Sequence, residues 1–134
     1  MKAADTSLVV AAFASWHEQH DAARRVLDAG VRLIDHCALE TYSVLTRLPP
    51  PHRSPAPVVK DFLRARFPQP FLRLSERRYR AFVLGLAERG VSGGAAYDAL
   101  VAATAEATHA ELLTCDRRAA GIYDSYGVRF ELLG

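Results

Sequence analysis

The sequence has little of what marks metal staples, redox centres or membranes. Only two cysteines occur in 134 residues, Cys37 and Cys115, and they do not form a CxxC pair. That spacing argues against a structural zinc site, and both read as buried thiols. No apolar run approaches the ~18–20 residues that a membrane span needs. Asp5 stands where a signal peptide would carry its apolar stretch. The expectation is a cytoplasmic protein without membrane contact. Nucleotide-binding GxGxxG, the P-loop and the GxSxG elbow are all missing. His17-Glu18-Gln19-His20 is one residue short of HExxH, so the two-ligand face of a zinc protease is not made. The two histidines are expected on a surface helix. Lysine is confined to Lys2 and Lys60.

What is present is ordinary globular composition, 50% hydrophobic and 24% charged. A chain of this length can bury roughly two-thirds of its unfolded surface, so residues 1–134 are read as one domain that needs no staple. The net charge of +2 decides nothing, but its distribution is uneven. Residues 60–89 carry eight Lys or Arg against Asp61, Glu76 and Glu88, and the rest of the chain is net negative. Nearly all the cations are arginine, the better phosphate reader. That tract is either a polyanion-binding surface or a solvated helix face.

Along the chain, short β-type runs alternate with helical patterns. Strands are expected at Ala3-Ala4, 31–34, 70–74, 111–114 and 128–132. Helices are expected at 7–14, 18–29, 38–48, 58–66, 75–88, 95–109 and 117–123. Ser75 is the expected cap of its helix, and Gly30 and Gly90 the expected stops. Five prolines between 49 and 57 read as a stiff connector. Such βα alternation argues for an α/β fold with a parallel sheet and helices on both faces. Ligands of such sheets lie beyond the carboxyl ends of the strands, where the strand order reverses.

Four carboxylates draw attention there. Asp5 follows the first strand and Asp116 the fourth, so both lie at one sheet edge. Glu40 falls in the first turn of the helix after the second strand. Asp98 is in the first turn of the alanine-rich helix, and reaches the same edge only if that helix is long or enters from a loop over the top. Each acid also suits a helix N-terminus, where it would cap free N–H groups. A non-catalytic interaction module whose acids are only caps is therefore the alternative. Converging carboxylates repel one another unless a cation neutralises them, and hard oxygen donors suit Mg²⁺ or Mn²⁺. An acidic edge beside a basic surface is the pattern of metal-assisted phosphodiester cleavage, with Arg117 the nearest candidate phosphate contact. A receiver domain would need a lysine after the last strand, and a dehalogenase-type phosphatase would need D-x-D where the chain reads Asp5-Thr6-Ser7.

The segments Ala4-Asp5-Thr6-Ser7, Ala38-Leu39-Glu40-Thr41-Tyr42, the run from Tyr97-Asp98 to Ala105, and Leu113-Thr114-Cys115-Asp116-Arg117 together resemble the PIN-domain ribonucleases. In size and layout the chain is similar to the VapC class of toxin–antitoxin systems. The resemblance covers essentially the whole chain. It implies a PIN-like fold with a parallel sheet in the order 3-2-1-4-5. It implies a metal-dependent endoribonuclease with Mg²⁺ or Mn²⁺ held by Asp5, Glu40, Asp98 and Asp116. Thr6, Ser7 and Thr114 would be supporting polar groups near the substrate. RNA is the implied substrate, a cognate antitoxin the implied partner, and a homodimer the expected assembly. Arg118 stands where many members carry a second acid, so a smaller ligand set for any second metal is expected. In that sheet order Cys37 and Cys115 would be about two strand spacings apart, ~9–10 Å, too far for a disulfide.

Overall fold

The computed structural model describes all 134 residues. Four parallel strands form one sheet in the order β2-β1-β3-β4, with β1 Lys2–Ala4, β2 Arg32–Leu33, β3 Glu111–Thr114 and β4 Phe130–Leu132. Seven α-helices accompany them: α1 Thr6–Phe13, α2 His20–Asp28, α3 Asp35–Arg47, α4 Ala56–Arg66, α5 Glu76–Gly85, α6 Ala95–Ala107 and α7 Ala120–Ser125. Successive strand residues point to opposite faces. Ala3 and Ala4 are both fully buried, as are Leu112 and Thr114 on the next strand with Leu113 nearly so. Both faces of the sheet are therefore covered, as the βα alternation predicts. One hydrophobic core of 23 buried residues runs through it, from Leu8 and Val9 of α1 to Val101, Ala102 and Ala105 of α6.

The sheet has four strands where five were expected. The segment at Pro70–Leu74 contributes a single bridge, Leu72 to Ile34, with the Leu72 N–H donating to Leu33 O at 2.8 Å and the Asp35 N–H to Leu72 O at 2.9 Å. Pro68 and Pro70 supply no N–H, and Leu72 alone is buried, so a ladder cannot extend. The bridge keeps the expected side-by-side order, with the would-be third strand outside β2. Other boundaries shift for local reasons. Helix α3 starts at Asp35, whose carboxylate accepts from the His36 N–H at 2.8 Å, so Glu40 falls beyond the first turn. Pro57 lies in the first turn of α4, where its missing N–H costs nothing, and the connector shortens accordingly. Residues 15–19 form turns and a bend, and α2 begins only at His20, so His17 and His20 do not share a helix. Ser75 caps α5 as expected, accepting from the Arg78 N–H at 3.2 Å. Both cysteines are free; Cys37 is buried, but Cys115 only half-buried.

Candidate active site

The path of the chain reverses between β1 and β3. From β1 it proceeds outward to β2, and from β3 it proceeds the other way to β4. Ala4 pairs with Leu113, and the Asp5 N–H donates to Leu113 O at 3.1 Å, so Asp5 and Thr114 leave the sheet side by side. This is the crevice where parallel sheets place ligands. A cleft of about 420 Å³ opens there, and Asp5, Glu40, Asp98 and Asp116 all line it, with Thr6, Ser7, His17, Arg118 and Tyr123.

Asp5 is the fixed member. It is 3% exposed and caps α1. Its Oδ1 accepts from the Ser7 hydroxyl at 2.6 Å and the Leu8 N–H at 3.1 Å. Its Oδ2 accepts from the Tyr123 hydroxyl at 2.8 Å. Burial pushes the carboxyl above the usual range, while these donors pull it back. Ser7 ties the two strand ends together. With its one proton on Asp5, its oxygen accepts from the Cys115 N–H at 2.8 Å and pairs with Thr114 Oγ1 at 3.2 Å. Thr114 Oγ1 in turn accepts from the Asp116 N–H at 2.9 Å. Ser7 and Thr114 thus orient the two aspartates. Thr114 is fully buried behind the cleft.

Asp116 also caps, accepting from the Arg118 N–H at 2.9 Å at the start of the 3-10 turn Arg117–Ala119. Its Oδ2 meets the Arg118 guanidinium at 3.4 Å. Glu40 and Asp98 cap nothing. Glu40 lies 3.7 Å from His36 Nε2, one turn back on α3, and the imidazole holds its carboxyl low. Glu40 and burial act oppositely on His36, and Glu40 wins, so the imidazole is raised. The His36 ring also stacks on Tyr97, with centroids 5.2 Å apart. Asp98 sits in the first turn of α6, and that turn begins at the cleft. Burial, then the charges of Asp116, Glu40 and Asp5, push its carboxyl above the usual range. The mutual repulsion expected of converging acids is therefore felt at Asp98. No three histidine, cysteine, aspartate or glutamate side chains are grouped closely enough to hold a metal ion as they stand.

Four residues modify the sequence-based picture. Arg117 turns away, donating to Gly134 O at 3.2 Å, and Arg118 is the arginine that lines the cleft. Tyr123 was invisible in the sequence, an aromatic on a short helix that the fold buries to 1% exposure against Asp5. Thr6 lines the cleft with its hydroxyl oxygen buried and unpartnered. None of the 60–89 arginines lines the cleft. Arg66 pairs with Asp28 at 2.7 Å, and Arg89 lies over the Tyr126 ring at 3.9 Å.

The PIN domain family model matches residues 3–124. The chain belongs to the PIN-domain family. Its relatives include Ribonuclease VapC40 of Mycobacterium tuberculosis, 52% identical over 133 residues and 99% of each chain. Ribonuclease VapC27 of the same species is 40% identical over 131 residues, 94% of this chain and 92% of the relative. The crystal structure of FitAcB from Neisseria gonorrhoeae superposes with a TM-score of 0.69 at 18% identity, covering 97% of this chain and 96% of that one. That likeness speaks for the fold, and the PIN-like α/β arrangement expected from the sequence is the one found.

Proposed function

We propose that this PIN-domain chain is a metal-dependent endoribonuclease, the toxin of a toxin–antitoxin pair. One observation carries the reading. Four acids from four separate segments line one cleft at the sheet's switch point, and Asp98 is raised first by burial there and then by the charges of the other three. Relatives named as ribonucleases, matched over nearly their whole length, support it.

The donor set fits a hard divalent cation in kind: carboxylate oxygens in excess and a buried free hydroxyl on Thr6, while the one thiol on the cleft wall, Cys115, is pushed up to about 11 by burial and so stays protonated. Asp5, Glu40, Asp98 and Asp116 would hold Mg²⁺ or Mn²⁺. When bound, such an ion supplies a more acidic water and neutralises charge at the scissile phosphate. Asp5 is locked by its three donors. Asp116 is held by the Arg118 N–H that it caps, and Glu40 and Asp98, half-buried and capping nothing, have room to turn inward toward it. Arg118 would attract the phosphate, and Ser7 and Thr114 keep Asp5 and Asp116 in register. An antitoxin that inserts a basic side chain would satisfy the same surplus of negative charge. A homodimer belongs to this reading too. Helix α5 has no buried residue and exposes Tyr79, Val83 and Leu84, so it lacks a cover within one chain.

The capping alternative has support in two places, since Asp5 and Asp116 do cap helices. It leaves Glu40 and Asp98 unexplained. Incubating purified protein with RNA separates the readings. Cleavage should appear with Mg²⁺ or Mn²⁺, stop with EDTA, and be lost in Asp98→Asn while the fold persists. Full cleavage in EDTA would sink the metal-dependent reading.

A further inference from the structure

The one tryptophan of the chain, Trp16, is half exposed, in the turn after α1. Its ring lies 4.3 Å from the His52 ring and 6.2 Å from the His17 ring, tilted by 37° and 41°. His17 is also a wall of the acid cleft. The three rings therefore form a continuous aromatic shelf that begins at the cleft wall and ends in the connector between α3 and α4. The shelf is held from both sides. The His52 N–H donates to Pro49 O at 3.0 Å and the Ser54 N–H to Leu45 O at 3.0 Å. Arg53 Nε donates to Leu48 O at 2.9 Å. On the other side, the His17 N–H donates to Ala14 O at 3.0 Å. His17 Nδ1 accepts from the Gln19 N–H at 3.0 Å, so its neutral ring carries the proton on Nε2.

An exposed, pre-set tryptophan wants an occupant. Its neighbours choose the kind. Two imidazoles flank it, and of the four exposed residues next to the three rings along the chain, Ser15, Glu18 and Arg53 are polar and only Pro51 is not. An apolar protein surface would meet a polar rim there. A nucleobase offers a flat π-face for Trp16, and polar edges for the imidazoles.

We propose that Trp16, His17 and His52 form a stacking subsite for one unpaired base of single-stranded RNA, adjoining the acid cleft. The inference rests on the endoribonuclease reading, and names the strandedness that reading leaves open. A base paired in a duplex has no free face to offer, whereas an unstacked base in a loop or tail does. The phosphate next to the stacked base then lies toward His17 and the acids.

Because Trp16 is the sole tryptophan, its emission reports on the subsite alone. Asp98→Asn protein in Mg²⁺ is titrated with a short labelled RNA of no secondary structure, following RNA anisotropy and tryptophan emission together. Both signals should saturate at one Kd, with emission quenched. Trp16→Ala in the same background should bind about 5- to 100-fold more weakly, and Trp16→Phe should keep most of the affinity. The same strand annealed to its complement should leave the emission unmoved. Binding without any change in emission, at a Kd unaltered by Trp16→Ala, would overturn the subsite while leaving the nuclease reading intact. Trp16 would then belong to a protein contact. If wild type neither binds nor cuts RNA, both fall. Should Trp16→Ala fold poorly, the emission arm and Trp16→Phe still decide the matter.

Discussion

Replacing Asp98 by Asn in the absence of divalent cations should make the protein more stable. Asn is nearly isosteric, so the substitution removes one charge and little else. Two opposing effects act on that charge. Asp98 is in the first turn of α6, where the helix dipole favours a carboxylate by roughly 0.3–1 kcal/mol. Against it stand partial burial and the charges of Asp116, Glu40 and Asp5. At an effective dielectric of 20, two carboxylates ~8 Å apart repel by about 2 kcal/mol, and solvent screening of half-exposed groups reduces this to about 1 kcal/mol. Three such neighbours, less a similar attraction to the Arg118 guanidinium and less the dipole, leave about 1 kcal/mol against the charge, and burial, the largest cause of the raised carboxyl, acts in the same direction.

A net gain of about 1 kcal/mol should lift the melting temperature by roughly 3–4 °C for a domain of this size. The pH dependence follows from the same sign. A carboxyl whose folded pKa is raised costs stability when ionised, and the cost is relieved as pH falls through the folded value. The gap between Asp98→Asn and wild type should therefore be largest at neutral pH. It should close as the pH nears the ordinary aspartate value of 3.8. Adding Mn²⁺ should reverse the ranking. A cation at 100 times its Kd stabilises the folded state by about 2.7 kcal/mol, and the variant with one fewer ligand gains less. Calorimetric melts in EDTA and in Mn²⁺ read all of this. A lower melting temperature for Asp98→Asn in EDTA, with no Mn²⁺ shift in wild type, would mean that the charge serves α6 and not a site.

Other expectations follow from the same contacts. Tyr123→Phe leaves one oxygen of a buried carboxylate unpartnered, and should cost about 1.5–3 kcal/mol, roughly 5–10 °C in melting temperature; an unchanged melt would mean the hydroxyl does not hold Asp5. Arg118→Ala should weaken RNA binding and flatten its log–log salt slope by roughly 0.7, one single-strand phosphate contact, whereas Arg117→Ala should do neither. His36 is raised by Glu40, so their pairing stabilises the fold below the ordinary histidine value of 6.5 and is lost as pH rises through the folded value. The destabilisation by His36→Ala should accordingly be larger at pH 6 than at pH 9, and equal losses at both would leave only the packing on Tyr97.

The parts of the site that the sequence revealed are those governed by chain order. Asp5 and Asp116 directly follow strands, and the parallel sheet forces both to one edge. Ser75 and Gly30 could be read as helix ends because capping is local chemistry, whereas the stop expected at Gly90 is not one: α5 ends at Gly85 and residues 86–90 form turns. What stayed hidden depends on three-dimensional approach. Tyr123 reaches Asp5 across 118 positions, by the packing of α7 beneath the cleft, and no spacing announces that. Arg117 and Arg118 are adjacent and chemically equal, so only the 3-10 turn decides which one enters the cleft. The five-strand expectation failed at 70–74 because hydropathy says nothing of missing N–H donors, although Pro68 and Pro70 were in plain view. The pairing of Trp16 with His52 joins two loops of opposite character, a turn and a proline-rich connector.

Capping and ligand binding are not exclusive at Asp5, and a count of lone pairs shows how they coexist. An ionised carboxylate offers about four acceptor positions. The Ser7 hydroxyl and the Leu8 N–H fill both on Oδ1, and the Tyr123 hydroxyl fills one on Oδ2. One position remains, on the oxygen that Tyr123 orients. The cap is thus made by the oxygen that anchors α1 to the sheet, and the other is left with a single direction to offer the cleft. Asp116 divides its oxygens in the same way, Oδ1 to the Arg118 N–H and Oδ2 toward the guanidinium. Glu40 and Asp98 have no capping duty. The four acids therefore fall into two fixed by the backbone they cap and two free to adjust. That division lets repulsion be relieved by small rotations of Glu40 and Asp98 while the sheet edge stays in place.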